Sequence, residues 1–214
     1  MYGEFELIER IATLFEQPEG VTFGIGDDCA VLDPGRFDLV TTDTLVEGTH
    51  FRREWSSPRD IGWKSLAVSL SDVAAMGGGP GAFLLNLTLG PDVDEAWVDE
   101  LLQGIKEACD ALIPDGFHVS AAGGDVTSTS GPTVITTTLM GEASPAGPVL
   151  RNGAVPGDRV IILGPTGAAA AGIGLLDGTF TGDPDDFDEL VRAHRRPRPR
   201  IREGALLGLY GIPS

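Results

Sequence analysis

Four aspartates stand where an acidic side chain has little use in packing. They are Asp28 in GIGDDCAVLD, Asp43 in TTDTLVEGTH, Asp72 in SLSDVAAMGGG and Asp125 in AAGGDVTS. Each lies where an expected helix or strand meets glycine or small residues, with no basic partner in sequence. A carboxylate taken out of water needs a cation or hydrogen-bond donors to stay ionised. Several of them converging from different elements, with the hydroxyls of Thr41 and Thr42 nearby, suit hard, oxygen-preferring cations. Mg2+ held by a few carboxylates and shared with phosphate oxygens is the common enzymatic form of such a site. Taken singly, each aspartate also reads as a turn or cap residue, Asp28 in a Gly-rich turn and Asp125 after Gly-Gly. Asp43 inside a strand and Asp72 inside a helix weaken that alternative. Strand alternation puts Thr41 and Asp43 on one face and Thr42 on the other, so Thr42 needs a backbone contact or a bend to reach a shared ion.

Glycine-rich segments invite phosphate contacts, but the familiar patterns fail. GIGDDC lacks the third glycine of a dinucleotide fingerprint and places two acids where a phosphate would sit. LGPTGAAAAG follows an expected strand and opens a helix, yet lacks the Lys-Ser/Thr of a P-loop. A nucleotide bound here would rely on Mg2+ and backbone amides instead. His50, in VEGTHF after a strand, reads either as a loop histidine or as a polar contact to a substrate. His118 and His194 read as structural. Arg151, alone among small residues, has the chemistry to reach a phosphate. The arginines from Arg192 to Arg202 form either an anion site or a solvated strip, and their proline spacing favours an extended segment on the surface.

These residues need a sizeable scaffold, and 214 residues supply one large domain or one domain plus part of another. Hydrophobic residues at 42% and charged ones at 22% exclude wholesale disorder. The formal charge is −17, with only two lysines, Lys64 and Lys106, and six of the thirteen arginines lying between Arg192 and Arg202. Such a surface repels nucleic-acid backbones. Apolar runs fall short of the ~18 residues of a membrane span, and MYGEFELIER is not a signal peptide. Cys29 and Cys109 belong to no CxxC pair or zinc pattern, and they read as two buried, reduced thiols of a cytoplasmic protein.

The apolar periodicity predicts a helix over 4–16, with Phe5, Ile8, Ile11, Ala12 and Phe15 on one face. Short extended pieces follow at Val21–Phe23, Cys29–Leu32 and Leu39–Leu45. A second helix covers 60–76, with Trp63, Leu66, Leu70 and Val73 as its apolar stripe and Ser65, Ser69 and Asp72 on another face. A strand at Phe83–Leu89, a helix over 94–112, a strand near 117–121 and a long strand at Thr133–Gly141 complete the first part. The fold class is α/β (α+β), a mixed sheet with helices on one face. The Gly/Pro-rich segment 143–158 reads as a domain boundary. A strand RVIILG, a small-residue helix TGAAAAGIGLL and a helix FDELVRAH follow. The division is thus 1–145 and 150–214, the second piece being the incomplete start of another α/β domain.

These motifs in this order resemble the thiamine-monophosphate kinases, of the superfamily that includes aminoimidazole ribonucleotide synthetase. The resemblance is carried by GEFELI, GIGDDCAVL, TTDTLVEGTHF, KSLAVSLSDVAAMG, AAGGDVT, RNGAVPGD, LGPTGAAAAG and HRRPRPRIREG, nearly end to end. It implies the aminoimidazole ribonucleotide synthetase N-terminal-like fold and ATP-dependent phosphorylation of thiamine monophosphate to thiamine diphosphate. It also implies Mg2+-bridged phosphates and a homodimer built by the N-terminal sheets. Position by position, it makes Asp28, Thr41, Thr42, Asp43, Asp72 and Asp125 metal ligands. Gly124, Asp125 and Arg151 become ATP contacts and His50 a substrate contact. No strong base is required, because the acceptor is already an anionic phosphate. Family members continue past this point into D-S-D-G-L and G-G-E-D-Y-E-L segments, which supply further contacts. This sequence stops at Gly211–Ser214, so it is expected to be a C-terminally incomplete kinase. The aromatic residue that stacks on ATP in the third helix has no counterpart, since no tyrosine lies between 94 and 125. Two other readings stay open: a non-catalytic, dimerising Mg2+-binding module, and a related synthetase that activates an amide or carboxylate with ATP.

Overall fold

The computed structural model describes residues 4–23, 31–32, 35, 37–150 and 154–210. Helix α1 (Glu4–Leu14) is followed by two short strands, β1 (Val21–Phe23) and β2 (Val31–Leu32), paired antiparallel. Then come β3 (Leu39–Val46), α2 (Pro58–Ala75), β4 (Gly79–Leu89), α3 (Glu95–Leu112), β5 (Ser120–Ser128) and β6 (Val134–Glu142). The main sheet has the order β3-β6-β4-β5 and is mixed: β4 and β5 run parallel, joined through α3, and the other pairs are antiparallel.

Local chemistry fixes α2 sharply. Ser57 caps its N-terminus by accepting from the Asp60 amide, the Asp60 carboxylate returns to the Ser57 amide, and Pro58 opens the first turn. Asp94 caps α3 in the same way through the Trp97 amide at 2.8 Å. The two helices lie side by side on one face of the sheet because each brings a glycine to the contact. A Cβ on Gly62 would stand 2.0 Å from the Leu101 carbonyl, and one on Gly104 the same distance from that of Arg59.

The core forms where the stripe Trp63, Leu66, Leu70 and Val73 of α2 meets Leu101, Leu102 and Ile105 of α3 over Phe83, Leu85, Ile135 and Leu139 of the sheet. Helix α1 adds Leu7, Ile11 and Phe15, the last packing edge-on against Phe83 at 5.7 Å. The opposite face of the sheet is divided. Val21, Phe37, Ala82, Leu84, Ala122 and Met140 make a second, smaller apolar cluster there. Beyond it the face is polar, with hydroxyl pairs Thr42–Thr138 at 3.0 Å and Thr44–Thr136 at 2.9 Å.

The element boundaries move modestly from those read in the sequence. Strand β4 begins at Gly79, four residues before the expected start at Phe83. Gly124-Asp125 lies within β5 rather than after it. His118 is exposed and precedes that strand.

After Glu142 no described residue is in a strand. Three helices follow, α4 (Ala168–Leu176), α5 (Asp188–Arg195) and α6 (Ile201–Leu209), with a 3-10 turn at Pro184–Phe187. The expected strand at RVIILG is extended and unpaired, with Val160, Ile161 and Ile162 exposed by 94%, 79% and 68%. A strand exists only as part of a ladder, and none of the described residues supplies its partner. Helices α5 and α6 pack back on α2, and Ile201 enters the main core. The arginine-rich stretch serves this docking. Arg196 spans Asp60 at 2.5 Å and Glu107 at 2.9 Å, and Trp63 donates its indole N–H to the Pro197 carbonyl at 2.9 Å.

Candidate active site

The site is built where β3 passes beside α2. Alternation along β3 turns Thr41, Asp43 and Leu45 toward the helices, and Thr42 and Thr44 away. On α2, Ser69 and Asp72 lie three residues apart on one face. The two sets meet as adjacent rungs. Thr41 Oγ1 donates to Asp72 Oδ2 at 2.5 Å, and Ser69 Oγ donates to Asp43 Oδ2 at 3.0 Å. Among the described residues, each carboxylate is thus held by one hydroxyl. Among the described residues, no lysine or arginine pairs with Asp43, Asp72 or Asp125. Thr137, directly opposite Asp43 on β6 and 1% exposed, has a buried hydroxyl without a partner among them.

The other candidates lie apart from these rungs. Thr42 is on the far face of the sheet, bonded to Thr138. Asp125 is exposed and in register with Asn86, whose neighbours Leu85 and Leu87 fill the core on the opposite side. A row Thr44, Thr136, Asn86, Asp125 thus crosses all four strands on the polar face. Gly124 ends the row of Asp43, Thr137 and Leu85. Any side chain there would collide with the Leu85 carbonyl, 1.9 Å from its Cβ. Among the described residues, no three acidic, histidine or cysteine side chains converge as a metal cluster. The structure thus joins Thr41 to Asp72 and Asp43 to Ser69, and it leaves Thr42 and Asp125 across the sheet. Asp28 and Arg151, and with them Cys29, lie outside the described residues.

His50 sits in a tight loop after β3. Its ring Nδ1 accepts from the Val46 amide at 3.0 Å, its amide donates to the Val46 carbonyl at 2.8 Å, and the Lys64 ammonium donates to its carbonyl at 2.8 Å. The imidazole itself is exposed. Phe51 anchors the loop in the core. Glu47 anchors it from the other side through Arg53 at 2.7 Å and the Thr133 amide at 3.1 Å. Burial pushes the Glu47 carboxyl up, but the Thr133 amide and the Arg53 guanidinium outweigh it and hold the group below its ordinary value.

Sequence reading had grouped Ser65 with Ser69 and Asp72, but Ser65 bonds back to the Gly62 carbonyl of its own helix at 2.8 Å. The role of Ser69 as the hydroxyl holding Asp43 was visible only as a spacing. The Glu47–Arg53–Thr133 anchor left no sequence signal, because its ends are 86 residues apart.

A mixed sheet covered by two helices on one face, with aspartates at the β3–α2 seam that no described cation neutralises, defines a class. The family model of AIR synthase related protein, N-terminal domain, matches residues 26–143, and the chain belongs to this family. Within it, the chain is 36% identical over 211 residues to the thiamine-monophosphate kinase of Bacillus subtilis (strain 168), covering 97% of this chain and 63% of that one. The crystal structure of thiamine-monophosphate kinase from Stenotrophomonas maltophilia K279a superposes with a TM-score of 0.77 at 35% identity, over 94% of this chain and 63% of that one. AaThiL complexed with AMPPCP and TMP superposes at 0.69 with 29% identity, over 96% and 62%. The chain therefore spans somewhat less than two thirds of the length of each of these relatives.

Proposed function

We propose that this chain carries the N-terminal part of an ATP-dependent kinase that phosphorylates thiamine monophosphate to thiamine diphosphate. The observation that carries the reading is the pair of rungs Thr41–Asp72 and Ser69–Asp43, two oriented carboxylates that no described cation neutralises. The likeness to kinases of that name along nearly the whole chain supports the choice of reaction. The donors are all oxygens, which fits Mg2+ rather than a softer metal. Asp43 and Asp72, with Thr41, would hold it on the helix side, and Asp28 is a further ligand of the proposal; Thr42 and Asp125, on the other face of the sheet, would serve a second ion rather than this one. The chemistry such an ion would supply there is neutralisation of phosphate charge on the nucleotide.

The protein's own share is positional. Thr41 and Ser69 fix the two carboxylates from opposite elements, so no reorganisation is needed when charge arrives. Gly124 lets β5 lie close against β4 and, with Asp125 and Arg151, forms the proposed ATP contact. His50 presents an exposed ring to the acceptor phosphate. Residues 1–145 form the metal- and ATP-binding domain in this reading, and 150–214 contribute to a second one, which includes the exposed apolar run Val160–Leu163. The polar, threonine-rich face of the main sheet supports assembly as a homodimer. Among the described residues no helix is long and apolar enough to cross a membrane, and we place the activity in the cytoplasm.

The test is turnover of thiamine monophosphate with ATP and Mg2+, read as thiamine diphosphate by fluorescence after oxidation. Formation of thiamine diphosphate supports the reading. Mg2+ binding without any turnover would replace it with the non-catalytic module. ATP consumption with formylglycinamidine ribonucleotide but not with thiamine monophosphate would replace it with the synthetase.

A further inference from the structure

Lys64 is one of only two lysines in the chain, and it is half-buried in α2. A buried ammonium loses hydration, and that loss lowers its affinity for the proton. Among the described residues no carboxylate pairs with it. It donates instead to a neutral backbone oxygen, the carbonyl of His50, at 2.8 Å. From α5 it meets His194, 7% exposed, an imidazole on which Arg195 also acts. Burial, with Lys64 and Arg195 adding to it, pushes His194 down to about 4, so it is neutral near pH 7 and Lys64 keeps the charge at this contact. A cation buried at a cost, and spent on one loop carbonyl, fixes that loop.

What it fixes is the orientation of the His50 ring. Val46 and His50 exchange two contacts, amide to Nδ1 at 3.0 Å and amide to carbonyl at 2.8 Å, which fold residues 46–50 into a closed turn. Because Nδ1 accepts from a backbone N–H, the neutral ring carries its proton on Nε2, and that N–H is the edge left for a ligand. The Lys64 contact closes the turn from the helix side.

We infer that Lys64 is a positioning residue for His50: by holding its carbonyl, it locks the imidazole in the Nε2–H tautomer and aims a neutral donor at the oxygen of an anionic acceptor. This rests on the reading of His50 as a substrate contact, but the ring state can be measured without any substrate.

The experiment has two arms on the same proteins. The first is nitrogen-15 correlation spectroscopy of His50 at about pH 8, where an ordinary imidazole is neutral. Wild type is expected to show an unprotonated Nδ1 and a protonated Nε2. Lys64→Met is expected to average the two nitrogens and to speed exchange of the Val46 amide, and Lys64→Arg to restore both. The second arm is steady-state kinetics. Loss of one charge-assisted hydrogen bond is expected to raise the KM for thiamine monophosphate about tenfold in Lys64→Met, with KM for ATP and kcat near wild type. A protonated Nδ1 in wild type overturns the proposal even if Lys64→Met does not fold. An unchanged ring signature in a folded Lys64→Met also overturns it. The expected ring signature in a wild-type protein with no activity on thiamine monophosphate leaves the positioning role standing and overturns the substrate assignment instead.

Discussion

Arg196 joins the C-terminal helices to the helix that carries Asp72 and Lys64, and replacing it with methionine tests how much that clamp holds. The methionine keeps the apolar stem, which stands over Trp63 with the guanidinium 5.3 Å from the ring centroid, and it removes the charge. The contact to Asp60, at 2.5 Å between side chains exposed by 23% and 18%, is the strong one. A hydrogen bond to a charged partner in such a place contributes roughly 1.5–3 kcal/mol. The contact to Glu107 is nearer solvent, and Arg59 also serves that carboxylate, so its loss costs only a few tenths, about 0.3 kcal/mol. The expected loss is about 2 kcal/mol, or a fall in Tm of roughly 4–8 °C for a chain of this size.

The pH dependence has a definite sign. Burial pushes the Asp60 carboxyl up, but the Arg196 guanidinium and Ser57 outweigh it and hold the group below its ordinary value. That stabilisation is fully present above the ordinary aspartate value of ~3.9 and is lost as pH falls through the lower folded value. Urea unfolding of both proteins at neutral pH and at stepwise lower pH reads the difference. It should be largest at pH 7 and shrink below about pH 4. A loss under ~0.5 kcal/mol at pH 7, or one that does not shrink on acidification, would refute the reasoning.

Three further outcomes are expected. Gly124→Ala should destabilise the fold by more than ~2 kcal/mol and weaken nucleotide binding, because its Cβ would meet the Leu85 carbonyl at 1.9 Å; thermal melting and titration calorimetry check both. Cys109, whose thiol burial pushes up to about 12, should resist alkylation by iodoacetamide at pH 8 in the folded protein and react fully in urea. Thr42→Arg, on the exposed Thr42–Thr138 pair, should disrupt the proposed homodimer, read as monomer mass in light scattering, while leaving the circular dichroism spectrum unchanged.

Much of the scaffold could be read from the sequence because the information is local. The stripe Trp63, Leu66, Leu70, Val73 repeats at helical spacing and was recovered as the core face of α2. Strand alternation correctly separated Thr41 and Asp43 from Thr42. What stayed hidden depends on partners distant in sequence. The strand read at RVIILG had every local property of one, yet a strand is made by its neighbour, and the described residues supply none. The arginine run looked like an anion site or a solvated strip; Arg196 is instead consumed by Asp60 and Glu107, 136 and 89 residues away. Asp125 follows Gly-Gly and reads as a turn residue, but a register shift in β5 near Ala121–Gly123 places it within the strand, level with Asn86. Lys64 reaching the His50 carbonyl could not be foreseen, because a lysine on a helix gives no sign of which loop it touches.

The central claim is that Asp43 and Asp72, held by Ser69 and Thr41, bind the cation that carries the nucleotide. Titration calorimetry of AMPPCP, with and without Mg2+, into wild type, Asp43→Asn and Asp72→Asn tests it most directly, with circular dichroism to establish that each variant is folded. Wild type should bind the nucleotide only when Mg2+ is present, and each variant should lose that binding. Unchanged nucleotide affinity in both folded variants would contradict the account.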